Sequence, residues 1–548
     1  MKTVFLKIQR QFSERLQRAA LLTLLLAVSL PSFAVTFTFN GIKYQTLATA
    51  GEVKVTIQDY PLSGDIVIPE IVSDGVNNYT VTAIGDYSFS GSNTMKSVVI
   101  PNTVTSIGAR AFNSCNLSSV IIPNSVRSIG ENAYRACSNL TEVSIPESVT
   151  EIIGNPFLLC SKLPAVNVDK ANKNFCSVDG VLFDRDMTTL ICYPIAKAGT
   201  SYSIPSTVKT IGDRAFYYCS GLTMIELPNS VTSIGQMAFN GTPITSMNIP
   251  ASVTEIKGNP FQLCGNLSEI NVDNANKDFC SVDGVLFSRD KTVLKCYPVI
   301  KNGVSYTIPA TVKTIGEYAF DSNKELQSVI IPNSVTSIEL SAFGASKLSS
   351  VEIPNSVTSI GASAFVMCES LTSAKLPASL TSIEGGTFMY CTKLELIEIP
   401  ETVKSIGTRA FYYCSSLKTV TIPSSVTEFG EVVWRYCDNL ENVYYAAENP
   451  VAAPKNIFSQ VTYNGATLHV RESALDDIKA TVPWGLFLNI EATDFSGIGD
   501  VAVDDAQAAP AEVFDLNGVR LGSDVDNLPA GVYIVRQGSQ VRKVAITR

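Results

Sequence analysis

The sequence predicts a β-rich solenoid, a rod of short parallel strands stacked coil upon coil, with capped ends, two inserted hairpins and a small antiparallel β module at the C-terminus. Three observations support this prediction. An Ile-Pro or Leu-Pro pair recurs at intervals that are mostly 22 or 23 residues, the residues between successive pairs share one apolar pattern, and residues 101–204 are duplicated as residues 205–308. Self-similarity at such a period is the signature of stacked repeats, none of which buries its apolar side chains alone.

The repeat unit has the general form L-x-x-V-x-I-P-x-S-V-T-x-I-G-x-x-A-F-x-x-C, as in the stretch SVTSIGASAF at residues 356–365. The Val-x-Ile alternation predicts a short strand with one buried face. Proline ends this strand because it cannot donate to the ladder between coils. Glycine after the next Ile predicts a bend that a side chain would strain. About 16 such rungs, each ~4.8 Å from the next, would form a rod on the order of 70 Å long.

Two insertions of one design interrupt the period, at residues 174–194 and 278–298. Each contains an Asp-Gly pair and an Arg-Asp pair that frame short apolar runs, and turn signals between apolar runs are typical of β-hairpins. We therefore expect two hairpins that lie on the edge of the solenoid.

The N-terminus has the three parts of a secretory signal peptide. Five Lys and Arg residues precede an apolar run at residues 19–30, and a Ser-Phe-Ala tripeptide offers small residues for cleavage between Ala34 and Val35. The apolar run is too short to span a bilayer comfortably, and no later segment approaches 18 apolar residues. We interpret residues 1–34 as a signal peptide, and we expect an exported mature chain that does not span the membrane.

The C-terminus differs in character from the repeats. Residues 495–510 are small, acidic and rich in Ala and Gly, which is linker composition. Residues 511–548 alternate around Asn-Gly and Gln-Gly turns, which predicts an antiparallel β module. The module resembles the C-terminal sorting domains of type IX secretion at Asp515-Leu516-Asn517-Gly518, at Pro529-x-Gly531-x-Tyr533-Ile534-Val535 and at the basic residues Lys543 and Arg548. This resemblance implies an export machinery as partner and a location at the outer-membrane exterior of a Gram-negative bacterium. The alternative is a plain β cap without a sorting role.

The repeat consensus, the DGVLF…YP hairpins and both end segments resemble the BspA-like leucine-rich repeat family of exported bacterial surface proteins. The resemblance covers residues 35–494, with an opening cap at 35–68, leucine-rich repeats at 69–445 and a closing cap at 446–494. It implies a leucine-rich-repeat solenoid and adhesion to host proteins or cells, without a shared ligand motif. Where the consensus glycine is replaced we expect coils that bend differently, at Ile153, Lys257, Glu339 and Glu384.

Composition excludes several classes of function. The net charge of −9 argues against nucleic-acid binding, which needs clustered Lys and Arg to displace phosphate counterions. The chain has a single histidine, His469, and therefore lacks the residues for most metal sites and for Ser-His or Cys-His catalysis. We expect no metal, no cofactor and no enzymatic activity, and we interpret His469 as a hydrogen-bonded residue of the closing cap.

The thirteen cysteines divide into two groups. Nine occupy one position of the repeat and predict a ladder of small buried side chains: Cys115, Cys137, Cys160, Cys219, Cys264, Cys368, Cys391, Cys414 and Cys437. The other four lie in the hairpins, as the pairs Cys176 and Cys192, and Cys280 and Cys296. A disulfide within each hairpin is one alternative in an exported protein. The other is a hairpin that turns at Arg185-Asp186, which would place Cys192 opposite Asp179 and leave the thiols free.

The middle residue of each Val-x-Ile strand is expected to point outward, where it varies from coil to coil. Extended faces of solenoids are used to bind other macromolecules, and the alternative is that the variation is mere drift on a solvated face. We select as candidate ligand-binding residues Glu226, Glu352, Lys375, Glu398 and Tyr444. The sequence therefore predicts an exported cell-surface binding protein, adhesin-like, that engages a protein or glycan ligand, for example one of host origin. The alternative is a structural spacer or envelope-layer component without a specific ligand.

Overall fold

The computed structural model of the chain describes residues 34–495 and the backbone of four strands beyond them. The predicted signal peptide up to its last residue, the predicted linker beyond Phe495 and the Asn-Gly turn of the C-terminal module lie outside the described residues. The four C-terminal strands pair antiparallel, and they are Glu512–Phe514, Arg520–Gly522, Gly531–Gln537 and Gln540–Ile546.

The repeats form the predicted solenoid, in which Val-x-Ile segments of successive coils pair in parallel. We call this set of strands the first strand ladder. Its members are Ser63–Val67, Thr94–Val99, Ser119–Ile121, Glu142–Ile145, Asn167–Val168, Ser201–Ser203, Met224–Glu226, Ser246–Ile249, Glu269–Val272, Ser305–Thr307, Ser328–Ile330, Ser350–Glu352, Ser373–Lys375, Leu396–Glu398, Thr419–Ile422, Asn442–Tyr445, Thr467–Val470 and Asn489–Ala492. The predicted fold class is therefore confirmed.

A second strand ladder runs along the coils and was not predicted, since its strands are mostly two residues long. These strands follow the marker prolines and also pair in parallel. They are Ser106–Ile107, Ser128–Ile129, Glu151–Ile152, Thr210–Ile211, Ser233–Ile234, Glu255–Ile256, Thr314–Ile315, Ser337–Ile338, Ser359–Ile360, Ser382–Ile383, Ser405–Ile406 and Glu428–Phe429. Each coil is thus closed by two short strands, and the apolar side chains between them fill its interior.

The opening cap is an antiparallel sheet that merges with the second strand ladder. Thr36–Phe39, Ile42–Thr46 and Glu52–Val55 pair antiparallel in chain order, and Ile71–Ser73 pairs antiparallel with Asn78–Ile84. Asn78–Ile84 pairs in parallel with Glu52–Val55 on one side and with Ser106–Ile107 on the other. The cap therefore continues the second strand ladder at the N-terminal end of the stack.

The closing cap contains the helices Gln460–Gly465 and Leu475–Ala480 and the 3₁₀ turns Glu472–Ala474 and Trp484–Leu486. Trp484 is fully buried, stacks on Tyr445 with ring centroids 4.1 Å apart, and donates a hydrogen bond of 2.8 Å from Nε1 to the Val451 carbonyl. A large ring whose only polar group is satisfied seals the apolar end of the stack.

The core of the coils contains columns of stacked aromatic rings, which we call the aromatic spine. Ring centroids of successive coils lie 4.9 to 5.9 Å apart with planes within about 30° of each other. The three columns are Phe89, Phe112, Tyr134 and Phe157; Tyr193, Phe216, Phe239 and Phe261; and Tyr297, Phe320, Phe343, Phe365, Phe388, Phe411, Trp434 and Phe458. The spacing matches that of neighbouring strands, so one ring fits each coil.

The two inserts do not lie on the solenoid edge as expected. Each has three strands, which in the first insert are Phe175–Val178, Val181–Asp184 and Thr189–Cys192. The third strand pairs in parallel with the second strand ladder, so the insert enters the stack itself. The second insert repeats this arrangement with Phe279–Val282, Val285–Ser288 and Val293–Cys296. Apolar residues on both faces of each hairpin make this placement favourable.

The inserts divide the buried core into three clusters, which end where the columns of the aromatic spine end. In the first insert, Leu182 packs in the cluster on one side and Phe183 packs in the cluster on the other. Successive strand residues point to opposite faces, so one strand serves both clusters. The solenoid therefore consists of three packed blocks, one for each cluster. Each insert is the common boundary of two neighbouring blocks, and we call it a hairpin wall.

The consensus glycine serves close packing, and its predicted role in bending is wrong. Its φ is not left-handed in coils such as those of Gly108, Gly130 and Gly235. A Cβ added at Gly130 would lie 2.5 Å from the Ala109 backbone nitrogen of the preceding coil. Two coils approach here too closely for any side chain, and this contact requires glycine.

Four coils lack this glycine and have in its place Ile153, Lys257, Glu339 or Glu384. Two of them do bend differently. There a left-handed glycine follows at once, Gly154 at φ 58° and Gly258 at φ 52°, one position earlier than the left-handed residue of a consensus coil such as Arg110. The two coils with glutamate keep the left-handed residue in its usual place. In these two coils the bend falls on a glycine, which adopts the left-handed conformation without strain.

Replacing Gly130 by alanine tests the packing role. The added Cβ overlaps backbone of the neighbouring coil, so we expect the free energy of unfolding to fall by about 1–3 kcal/mol. Gly265→Ala is the matched control, because a Cβ there meets no atom within 4 Å and its φ is not left-handed. Urea unfolding followed by circular dichroism measures both. Equal midpoints for the two variants would contradict the role of close packing.

Candidate ligand-binding surface

The outward face of the first strand ladder is built by strict alternation along each strand. Around Glu352, the neighbours Val351 and Ile353 are buried, whereas Glu352 itself is exposed. The pleat of a strand sends successive side chains to opposite faces, so the middle residue of each Val-x-Ile segment faces solvent. The result is one outward side chain for each coil, at the spacing of the strands.

The strands of the C-terminal block bring seven outward positions into one line, which we call the outer row. Glu352, Lys375 and Glu398 are paired on one sheet, and Thr421, Tyr444, His469 and Glu491 are paired on the next. The strands Leu396–Glu398 and Thr419–Ile422, at which the two sheets meet, lie side by side. Six strand spacings of ~4.8 Å make the outer row about 29 Å long. Four of the five candidate residues from the sequence lie in it. His469 and Glu491 were missed, because the sequence does not show that the closing cap continues the first strand ladder.

Charges alternate at the start of the outer row. The Lys375 Nζ donates to Glu352 Oε1 at 2.7 Å, and Glu398 lies on the strand at the other side of Lys375. The hydrogen bond to Glu352 and its negative charge raise the pKa of Lys375. All three side chains are exposed, so water and salt screen the pair. The segment carries a net charge of −1, with its two carboxylates two strand spacings apart.

The fifth candidate, Glu226, lies apart from the outer row. Four strands of the first ladder and the second insert separate it from Glu352, so the two residues lie more than roughly 24 Å apart at ~4.8 Å per strand. Its carboxylate accepts a hydrogen bond of 2.6 Å from the Ser203 hydroxyl on the adjacent strand. The structure therefore does not combine Glu226 with the other four residues into one site.

The far end of the outer row is aromatic. The rings of Tyr444 and His469 stack with centroids 4.4 Å apart, and Phe495 meets Tyr444 edge-on at 6.4 Å. The ring nitrogens of His469 are held by Asn442 at 2.9 Å and by Thr493 at 3.1 Å. Burial lowers the pKa of His469, an effect that the nearby Glu491 partly opposes. Tyr444 is thus half-buried and held in place, with one ring face covered.

The nine repeat cysteines form a buried ladder with a common hydrogen bond. Each Sγ donates to the backbone carbonyl of the spine aromatic one coil earlier, at 3.0 to 3.5 Å. Burial raises the pKa of Cys137, Cys264 and Cys368 to about 12. A thiolate at these positions is therefore disfavoured, and the thiols are chemically inert in the folded protein.

The hairpin cysteines are free thiols as well. Strand register places Cys176 opposite Phe183 and Cys192 opposite Leu182, on opposite faces of the insert. A disulfide within each hairpin is therefore contradicted by the geometry. Cys192 also does not face Asp179 as expected, because both framing turns are used and a third strand intervenes. Cys192 and Cys296 are buried, whereas Cys176 and Cys280 are half-buried.

In residues 34–495 no group of three or more His, Cys, Asp or Glu side chains is arranged to hold a metal ion. Within the same part of the chain, no helix has the length and apolar character needed to cross a bilayer.

The fold defines a class of protein, a stacked-coil repeat protein with an open strand face. Residues 73–178, 196–283, 296–396 and 381–468 match the family described as BspA type leucine-rich repeat region, in six copies. The chain therefore belongs to the BspA-type leucine-rich repeat family, which is a family of bacterial surface repeat proteins.

Solved structures of several bacterial proteins are similar to this chain. A leucine-rich cell surface protein from Faecalibacterium prausnitzii is 27% identical, with 76% of this chain and 96% of that chain covered and a TM-score of 0.40. A leucine-rich repeat protein from Eubacterium ventriosum is 24% identical, with 73% of this chain and 94% of that chain covered and a TM-score of 0.39. The pneumococcal vaccine antigen PcpA is 22% identical, with 84% of this chain and 99% of that chain covered and a TM-score of 0.42. No protein with a curated description matches the chain.

Thiol labelling tests the state of the cysteines. In the native protein we expect a maleimide to modify Cys176 and Cys280 first and to leave the nine ladder positions unmodified, because the ladder thiols are buried out of reach of the reagent. Peptide mass spectrometry identifies the modified sites. Unfolding in guanidinium without reductant is the control, and it should expose all thirteen thiols. Labelling of a ladder cysteine in the native state, or four thiols missing after unfolding, would contradict the structure.

Proposed function

We propose that this chain is an exported cell-surface binding protein, adhesin-like, that engages a protein or glycan ligand through the outer row. The observation that carries the proposal is the outer row itself, seven varied side chains on two neighbouring, preordered parallel sheets. A ligand that docks there meets side chains whose backbone is already fixed, so little conformational entropy is lost on binding. No enzymatic activity is proposed, because His469 is held by amide and hydroxyl partners and adjoins no acid-base pair.

The geometry of the outer row determines which chemical groups a ligand needs, and at what separation. Glu352 and Glu398 lie two strand spacings apart, about 10 Å, with Lys375 between them. A complementary ligand offers two cationic groups at that separation and an apolar or aromatic group for the half-buried Tyr444 ring. Because the contacts are spread over several coils, each one contributes a moderate affinity. A ligand that presents the same groups repeatedly should bind much more tightly through avidity.

Export is part of the proposal. The signal-peptide pattern at residues 1–34 supports passage out of the cytoplasm, and the sorting-like pattern in residues 511–548 supports recognition by a type IX export machinery and a location at the outer-membrane exterior of a Gram-negative cell. The antiparallel pairing of the four C-terminal strands is compatible with such a module.

The ends of the exported protein test this part. We expect the mature chain to begin at Val35 because signal peptidase removes residues 1–34. We also expect it to lack residues 511–548, because the sorting module is removed after export. Intact mass spectrometry of protein released from the cell exterior measures both ends. Protein retained in cells with a deleted signal segment is the control. An exterior species that still carries residues 511–548 would contradict the sorting role.

Binding is tested with arrays of host matrix proteins and glycans, followed by variants of the outer row. Charge reversals at Glu352 and Glu398 and the change Tyr444→Ala should each weaken a bound ligand about tenfold or more if they act as hot spots. Binding of a cationic ligand should also weaken as salt screens the carboxylates.

Two comparison variants locate the site. Glu401→Lys changes an exposed charge of the same coil as Glu398 but off the first strand ladder, and should leave binding unchanged. Glu226→Lys shows whether the ligand reaches a second region, more than roughly 24 Å away at ~4.8 Å per strand and beyond the second insert. Unchanged affinity in all outer-row variants, with the fold intact by circular dichroism, would overturn the proposal and favour a structural spacer or envelope-layer component.

A further inference from the structure

Four tyrosines of three successive coils meet on a corner of the rod that is separate from the outer row. We call Tyr390, Tyr412, Tyr413 and Tyr436 the tyrosine patch. In each coil the residues directly precede a ladder cysteine, at the turn that follows the spine aromatic. Their ring centroids lie 5.3 to 5.6 Å apart across the coils, which makes one connected aromatic surface.

Two of the four tyrosines are exposed, and Tyr390 and Tyr412 are half-buried. Tyr413 and Tyr436 keep 42% and 36% of their surface accessible, and Met367, at the equivalent position one coil earlier, keeps 48%. Among the described residues, the four tyrosine hydroxyls have no hydrogen-bond partner, in contrast to Tyr463, whose hydroxyl donates to the Lys455 carbonyl. Aromatic rings with free hydroxyls at the surface are ready to bind a partner.

Three of these tyrosines occupy a backbone position that does not suit them. Tyr390, Tyr413 and Tyr436 have φ of 62°, 63° and 66°, in the left-handed region that bulky residues disfavour. Other coils place Ser114 or Ala136 at the same position. The stack tolerates small side chains here, so the core does not require tyrosine.

Two arginines lie beside the patch. The Arg435 guanidinium lies 5.1 Å above the Tyr436 ring, and Arg409 lies in the same corner of the coil before it. In the described part of the chain neither arginine forms an ion pair with a carboxylate. Asp438, two residues beyond Tyr436, instead accepts a hydrogen bond from the Ser459 hydroxyl.

We infer that the tyrosine patch is a second docking site, and that its partner is a protein segment with acidic side chains. Tyr, Arg and Met are the residues that interface cores favour, and Tyr and Arg dominate hot spots. The two unpaired arginines complement carboxylates on the partner. The ring planes cross at 38° to 85°, so the patch offers edges and clefts for side chains and no flat platform for a sugar ring.

The test uses the intact mature protein and a displayed library of random 15-residue peptides. Selection on the wild-type protein, after depletion on the double variant Tyr413→Ser/Tyr436→Ser, should enrich peptides rich in Asp and Glu. The double variant should bind the selected peptides at least tenfold more weakly. Arg435→Gln should also weaken binding and make it less dependent on salt. Serine already occupies this backbone position in other coils, so these variants are expected to fold, and thermal unfolding checks this.

The chain offers a matched control. Tyr217 and Tyr218 also precede a ladder cysteine, with centroids 4.9 Å apart and Tyr218 at φ 55°, but no tyrosine of a neighbouring coil joins them in the described structure. Tyr218→Ser should leave peptide binding unchanged. The inference is overturned if no peptide is enriched, if the enriched peptides lack acidic residues, or if the double variant binds them equally well. It is also overturned if the double variant instead loses glycan binding or self-association of the chain. Because outer-row variants leave the patch intact, either site can fail alone.

Discussion

The structure depends on one constraint, the distance of about 5 Å between neighbouring coils that backbone hydrogen bonding imposes on both strand ladders. Every other layer of the molecule adapts to that distance. The aromatic spine fits because stacked rings tolerate it, and the same spacing brings each ladder cysteine within hydrogen-bond reach of the coil before it, at 3.1 Å for Cys391. The consensus glycine is its strictest consequence, since at Gly130 the neighbouring backbone leaves no room for a Cβ.

The inserts show how the solenoid admits a foreign element without losing this distance. The third strand of each insert pairs with the second strand ladder, so it takes the place that a coil would otherwise hold. Its two faces then belong to different core clusters. Repeat proteins gain stability from nearest-neighbour contacts, and a wall of different shape changes that coupling locally. The C-terminal block, which carries both the outer row and the tyrosine patch, is consequently one packed unit from Val285 to Phe487.

Much of this architecture is readable from the sequence, because the repeat unit states which residues point inward. Val-x-Ile, the marker prolines and the ladder cysteines were interpreted correctly from their pattern. The role of Gly130 was not, because a distance between coils leaves no trace in one coil. The placement of the inserts was missed for a related reason, since an apolar run does not show how many faces it covers. The tyrosine patch is invisible in the chain order, where Tyr390, Tyr413 and Tyr436 are 23 residues apart.

The stacked coils also store contour length. A coil of 23 residues occupies about 4.8 Å of the rod, whereas the same residues drawn out span roughly 75 Å. A tensile load between the two ends would therefore peel coils from a block one after another, each lengthening the chain some fifteenfold relative to its place in the stack. The hairpin walls divide that extension into three stages. A rod of this design lengthens under force because its coils unfold, and the hairpin walls limit the length of chain that unfolds in one step.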